Sequence, residues 1–437
     1  MTLAGRTPKL TSKMLEKARK IVVRFTTGKK PHELSSDDVQ AARQYIMHYW
    51  KKLQRYHPHD DETLFGLPKP YLVPAYEEGH SFDFNELYYW DSYFMVQGFL
   101  TKGHKDLVTG ILEDLISLQK RLKIIPNASR TYLTGRSQPP LLTSFIFDVY
   151  EAYDMGDKWL AENIAISKEE YHGVWMGVTK PNERRIYRGL SRYYDINYLH
   201  DLAEAESAWD MTPRFGRKAL NYLPVDLNAL LYKYETDFAR AAEIAGNHKE
   251  AQTWLHSAKV RKKTMDELMW SPSRDFYYDY DFVRKRRGSV SSLAGFYPMW
   301  AGMVDKDQAA ALVRMLKRFE HKGGLSTTDQ QFNQRLPGQI PGNGNTPTQW
   351  AYPNGWAPLH YIIIQALERY GYHSDARRIA FKWLKTNLDW FDNEEIFLEK
   401  YNVVNPEKPP IKGLYPSQTG FGWTNAIFER LCQDYID

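Results

Sequence analysis

Residues 227–268 read LNALLYKYETDFARAAEIAGNHKEAQTWLHSAKVRKKTMDEL, and this stretch decides the fold class. Leu227, Leu230, Leu231, Tyr234, Phe238, Ala241, Ala242 and Ala245 fall on one face at a spacing of about 3.6 residues, the period of an amphipathic helix. Gly246-Asn247 reads as a helix stop. A second stripe follows at once, through Ala251, Trp254, Leu255, Ala258, Met265 and Leu268. Two helices joined by so short a turn must lie antiparallel, so the stretch predicts a helical hairpin.

The same grammar recurs on both sides. Downstream, Leu359, Ile362, Ile363, Ala366, Leu367 and Tyr370 precede Gly371, and Ala376, Ile379, Ala380, Trp383 and Leu384 follow it. Upstream, Gly103 is followed by Leu107, Ile111, Leu115 and Leu118. Each junction has a glycine and then an acidic residue (Asp106, Glu250, Asp375) early in the next helix, where the helix dipole favours negative charge. The hairpins stand too far apart for a tight solenoid. They suit an all-α toroid of helix pairs with long functional loops at one end. Those loops are rich in Pro, Gly, Asn and aromatics and span roughly 66–92, 124–140, 183–226, 322–358 and 399–425. The first 65 residues read as a polar-rich helical extension packed on the outside, and residues 66–437 as one catalytic domain, since no low-complexity linker divides the chain.

Composition narrows the function. The 437 residues are 43% apolar and 25% charged, enough for a large core. Lys+Arg 58 against Asp+Glu 53 gives a net charge of +5, too dispersed for a nucleic-acid partner. Arg284-Lys285-Arg286-Arg287 stands alone after Asp279-Tyr280-Asp281 and reads as a charged loop. The single cysteine, Cys432, excludes an intramolecular disulfide and a cysteine-based zinc site. His57-Pro58-His59-Asp60-Asp61-Glu62 reads as solvated surface in a proline turn, so no metal is expected, and no GxGxxG unit or Walker loop calls for a nucleotide cofactor. No apolar run reaches the roughly 18 residues of a membrane span, and no apolar signal core opens the chain, so a cytoplasmic location without a membrane partner is expected. Aromatics make up 14%, more than a core alone needs, and sugar-binding sites stack pyranose C–H faces on such rings.

Within the predicted loops, carboxylates and amides sit among these aromatics. Glycoside hydrolysis needs two carboxyl groups flanking the scissile bond, one held protonated by burial or a neighbouring charge, the other ionised. Five segments supply candidates: 86–94, Asn127 with 136–140, 206–215, 349–358, and 399–401 with 420–425. Phe84-x-Glu86-x-Tyr88-Tyr89-Trp90-Asp91-Ser92-Tyr93 and Gln349-Trp350-x-Tyr352-Pro353-Asn354-Gly355-Trp356-Ala357-Pro358 resemble the two signatures of the α,α-trehalase family of glycoside hydrolases. Asn127, Arg136-Ser137-Gln138-Pro139-Pro140, Val225-Asp226-Leu227-Asn228, Glu399-Lys400-Tyr401 and Gly420-Phe421-Gly422-Trp423-Thr424-Asn425 match further family stretches, in family order, across roughly residues 70–430.

The resemblance implies an (α/α)6 toroid and an inverting hydrolase of α,α-trehalose that uses no metal or cofactor. It implies Asp210, in Ser207-Ala208-Trp209-Asp210, as general acid and Glu399 as general base. It further implies that Phe84, Trp90, Asp91, Asn127, Arg136, Gln138, Trp350, Trp356 and Phe421 line the sugar subsites. An inverting pair would stand about 6.5–9.5 Å apart, leaving room for one water.

The chain departs from the family pattern on the leaving-group side. Asp83 replaces the Arg before Phe84, Ala351 the usual Asp of Gln-Trp-Asp-Tyr-Pro-Asn, and Ala208 the Gly before Trp-Asp. Leu414 stands before Tyr415-Pro416, and the Arg-Pro-Glu element between Arg-Ser-Gln-Pro-Pro and Trp-Asp is missing, so Gly189-Leu190-Ser191-Arg192-Tyr193-Tyr194 runs directly into the acid loop. Two other readings follow: a related hydrolase of glucosylglycerate, mannosylglycerate or another α-glucoside, with Arg136, Arg188 or Arg192 meeting the glycerate carboxylate, and a non-catalytic sugar-binding protein on the same scaffold.

Overall fold

The computed structural model describes residues 34–76, 84–334, 346–413 and 418–437. Among them, helices fall into two concentric layers. Tyr89–Val96 (α2), Leu142–Ala152 (α4), Val225–Ile244 (α7), Tyr297–Trp300 (α9), Ala357–Arg369 (α11) and Gly422–Tyr435 (α13) pack side by side as an inner ring. The ring closes where α13 meets α2 and where Tyr93 of α2 packs edge-on against Phe145 of α4, ring centroids 6.3 Å apart. Ser36–Leu53 (α1), Lys105–Leu122 (α3), Asp157–Glu170 (α5), His248–Leu268 (α8), Lys306–Leu316 (α10) and His373–Glu394 (α12) form the outer layer. One short helix, His200–Ala205 (α6), lies in a loop. The molecule is an all-α toroid of helical hairpins, as the sequence predicts.

Periodicity explains the layers. Inner helices are buried nearly all round: α11 buries every residue from Ala357 to Ile364. Outer α8 buries only a stripe, Ala251, Ala258, Arg261, Thr264, Met265 and Leu268. Of the three predicted stops, Gly246 and Gly371 end their helices with φ of +72° and +80°, a left-handed turn that glycine adopts without a Cβ penalty. Gly103 differs. Helix α2 has already ended at Val96 and unwound through the 3-10 turn Gln97–Phe99, so Gly103 lies in the next short turn, Lys102–His104.

Helix α1 packs against α12 and α13 and buries Val39, Ala42, Ile46, Tyr49, Trp50 and Leu53. Arg43 ties it to Glu429 of α13 at 2.8 Å. Among the described residues no helix is long and apolar enough to cross a membrane. Cys432 is fully buried in the core on α13.

Candidate active site

At one mouth of the ring lies a cavity of about 570 Å³. Its wall comes from all five loops marked out by the sequence. Asp91 and Trp90 open α2, Trp423 opens α13, and Gln138 and Trp350 precede α4 and α11, so several inner helices direct their N-terminal ends toward the carboxylates gathered there.

The structure brings Asp210, Glu399, Phe84, Trp90, Asp91, Asn127, Arg136, Gln138, Trp350 and Phe421 together on this cavity. Trp356 is the exception. It lies face to face behind Trp350, centroids 3.7 Å apart and 2° from coplanar, and is absent from the wall. It belongs to the strand Asn354–Trp356, which pairs antiparallel with Lys400–Asn402 in the register Trp356 opposite Lys400. Gly355 makes that pairing possible, because a Cβ there would stand 2.5 Å from Val403 and 2.7 Å from the Leu325 carbonyl oxygen.

The wall also includes Pro74, Glu86, Tyr88, Tyr132, Leu133, Ala205, Ala208, Gln418 and Trp423, which sequence reasoning did not select. Glu86, Tyr88 and Trp423 stood inside the quoted motifs. Tyr132 and Leu133 follow Asn127 in a 3-10 turn that carried no signal of its own. Asp83 and Leu414-Tyr415-Pro416 lie outside the described residues.

The aromatics form one cluster. Trp209 also stacks on Trp350, at 5.5 Å and 14°, while Trp90 meets Trp350 and Trp423 edge-on at 6.1 and 5.6 Å. The acid loop is pinned to this stack. Gln349 Nε2 donates to the Asp210 carbonyl oxygen at 2.5 Å, and Trp350 N–H to the Met211 carbonyl at 3.3 Å. Fully buried Arg214 lies over Trp209, 4.7 Å from its ring centroid, and bonds Asp226 and Asp279 at 2.6 and 2.7 Å.

Electrostatics separate the carboxylates. Burial pushes Asp210 up to about 7, and the charge of Glu399 adds to the rise while Arg136 and Lys400 oppose it. Burial likewise pushes Asp91 up to about 7, with Asp210 and Glu399 adding to it and a hydrogen bond from Gln138 opposing. Gln138 is oriented for that bond, since its Oε1 accepts the Trp90 N–H at 2.7 Å. Glu399 is 2% exposed and its Oε2 accepts a bond from the buried Lys400 ammonium at 2.5 Å. Its carbonyl oxygen accepts the Trp423 indole N–H at 3.0 Å.

Two features suit a polyhydroxylated ligand. The indole nitrogens of Trp90 and Trp350 and Nε of Arg136 are buried without a hydrogen-bond partner on residues that line the cavity, and buried donors of this kind need an acceptor. Asp91, Asn127 and Gln138 carry paired polar atoms that can each meet adjacent hydroxyls. The cations foreseen for a glycerate carboxylate are distributed otherwise. Arg136 alone lines the cavity and is already paired with Asp195 at 2.9 Å. Arg188 pairs with Glu267 at the surface, and Arg192 donates to the carbonyls of Glu183, Leu220 and Asn182. Both point away from the cavity because the loop that carries them folds into its own hairpin, Arg185–Tyr187 against Leu190–Ser191.

Among the described residues no group of three His, Cys, Asp or Glu side chains is arranged to hold a metal ion.

Comparison with known proteins points to one family. The family model described as "Trehalase" matches residues 11–207 and 191–435. The chain is 30% identical to a cytosolic neutral trehalase of Beauveria bassiana, over 84% of this chain but 58% of that protein. It is 29% identical to a periplasmic trehalase of Escherichia coli, over 93% of this chain and 76% of that protein. Among solved structures, neutral trehalase Nth1 from Saccharomyces cerevisiae superposes with a TM-score of 0.70 at 29% identity, covering 83% of this chain and 73% of that one. The chain thus spans less than two thirds of the Beauveria bassiana protein's length.

Proposed function

The chain belongs to the trehalase family of glycoside hydrolases, and on that footing we propose that it hydrolyses α,α-trehalose to two molecules of glucose with inversion. Asp210 is the general acid and Glu399 the general base. The observation that carries the reading is the meeting of these two carboxylates and Asp91, from three distant parts of the sequence, on one cavity walled by tryptophans. Asp210, buried and raised to about 7, holds a proton near neutrality and donates it to the glycosidic oxygen. Glu399, paired with Lys400, takes a proton from the water that attacks the anomeric carbon. Each transfer contributes roughly 10²–10⁴-fold to the rate. Asp91, Asn127, Arg136 and Gln138 hold ring hydroxyls, and Phe84, Trp90, Trp350 and Phe421 shield the sugar from bulk water. Among the described residues Arg136 is the one arginine that lines the cavity, and its existing ion pair supports a neutral leaving group over glycerate.

A panel of α,α-trehalose, glucosylglycerate, mannosylglycerate and other α-glucosides, followed by NMR, tests the proposal. Glucose release from trehalose, with one β- and one α-anomer formed first, is the expected result, and Asp210→Asn should abolish turnover while sugar binding persists. Wild-type rates in both Asp210→Asn and Glu399→Gln would refute the assignment. Binding without glucose release in the wild type would favour a sugar-binding protein. We also infer a cytoplasmic location, supported by the fungal relative's cytosolic name though not by the periplasmic one's; cell fractionation decides it.

A further inference from the structure

Lys400 takes no part in the proton transfers proposed above, yet its side chain is fully buried. An ammonium in such a place has lost its hydration and needs specific partners. Two are present. Its Nζ donates to Glu399 Oε2 at 2.5 Å and lies 4.9 Å from the centroid of the Trp356 ring, within cation–π range. The register that sets Trp356 opposite Lys400 fixes this arrangement in the backbone. Around the Glu399 carboxylate, Asp91 of α2 and Asp210 of the acid loop contribute like charge, while Lys400 and Arg136 contribute the opposing charge felt at Asp210.

We propose that Lys400 is the positioning residue for Glu399: a buried ion pair, locked by the Trp356 face and by strand register, that orients the carboxylate and offsets the repulsion from Asp91 and Asp210. The inference rests on Glu399 being the base. It also gives Trp356, which does not reach the cavity, a reason to be an aromatic ring rather than any apolar side chain.

The test compares kcat, KM and their pH profiles on α,α-trehalose for the wild type, Lys400→Met, Lys400→Arg and Glu399→Gln, each checked for folding by circular dichroism. In Lys400→Met, kcat should fall about 100-fold with little change in KM, the mark of a misplaced catalytic group rather than lost binding. The acidic limb of the profile should also move to higher pH, because a carboxylate without its cation keeps a proton longer. Lys400→Arg should restore the limb to its wild-type position. A folded Lys400→Met with an unmoved limb overturns the proposal, whatever its rate. Should Lys400→Met fail to fold, Lys400→Arg decides: a limb at the wild-type pH supports the ion pair, a displaced limb overturns it. Wild-type turnover in Glu399→Gln is a separate result that removes the base assignment itself.

Discussion

Trp350 and Trp356 lie 3.7 Å apart and nearly coplanar, but only Trp350 faces the cavity. Trp356 acts as the backing of Trp350, which borders the cavity although it too is buried. Trp356→Leu removes this support and opens a void, so kcat/KM on trehalose should fall about 10–100-fold, because small misplacements of a positioning group cost that much. Stability should fall by about 2–4 kcal/mol, measured by denaturant unfolding. Unchanged kcat/KM would show that Trp350 holds its place unaided.

Activity should decline as pH rises above neutrality. Asp210 must carry a proton to act, and burial raises it to about 7, so the competent form is present below that value and lost as pH passes through it. Asp91 is raised to a similar value and the two interact, so the observed limb belongs to the set rather than to one residue. A pH profile of kcat/KM measures it; a basic limb near 4–5, the ordinary carboxylate range, would contradict the effect of burial.

Ala208 sits with φ of +61° immediately before Trp209-Asp210, a left-handed conformation that disfavours a Cβ. The glycine usual in the family at this position fits that backbone without strain. Ala208→Gly should therefore stabilise the protein by about 0.5–1 kcal/mol, the left-handed penalty less the entropy of glycine, with turnover retained. Destabilisation would mean that the alanine methyl, which faces the cavity, contributes packing worth more than the strain.

Arg214 joins Asp226 and Asp279 in the interior, and all three are nearly inaccessible. Arg214→Met strands two buried carboxylates and should cost about 3–5 kcal/mol. It also frees Trp209, so any folded fraction should lose activity, although Arg214 is not in the cavity wall. Lysine offers no rescue, since it cannot supply the fork that meets both carboxylates. Full activity with unchanged stability in Arg214→Met would sink this account.

The hairpins were legible because long helices repeat their apolar stripe many times and end on glycines that must turn left-handed, as Gly246 and Gly371 do. Inner helix α9 was not legible. It is one turn, Tyr297–Trp300, with Pro298 in its first turn, and four residues cannot display a period. The site was legible in outline because its loops concentrate aromatics and carboxylates, which also carry the family resemblance. Trp356 was misplaced because a motif gives the order of side chains but not their direction, and two tryptophans six residues apart can face the same ligand or each other. Lys400 escaped notice for a related reason: a lysine beside a glutamate ordinarily reads as solvated surface, and only the strand pairing reveals it as buried.

The outer helix that backs α13 is α1, and the loop entering α13 receives Tyr49 so closely that a Cβ on Gly420 would fall 2.0 Å from its ring. During synthesis, then, the first described helix leaves the ribosome with its apolar stripe uncovered and waits for nearly four hundred residues before α13 arrives to cover it. Until α13 has been made, the nascent molecule is an open arc whose two edges both need shelter. Linking α13 directly to α1 and cutting at a surface hairpin would make these edges neighbours from the outset.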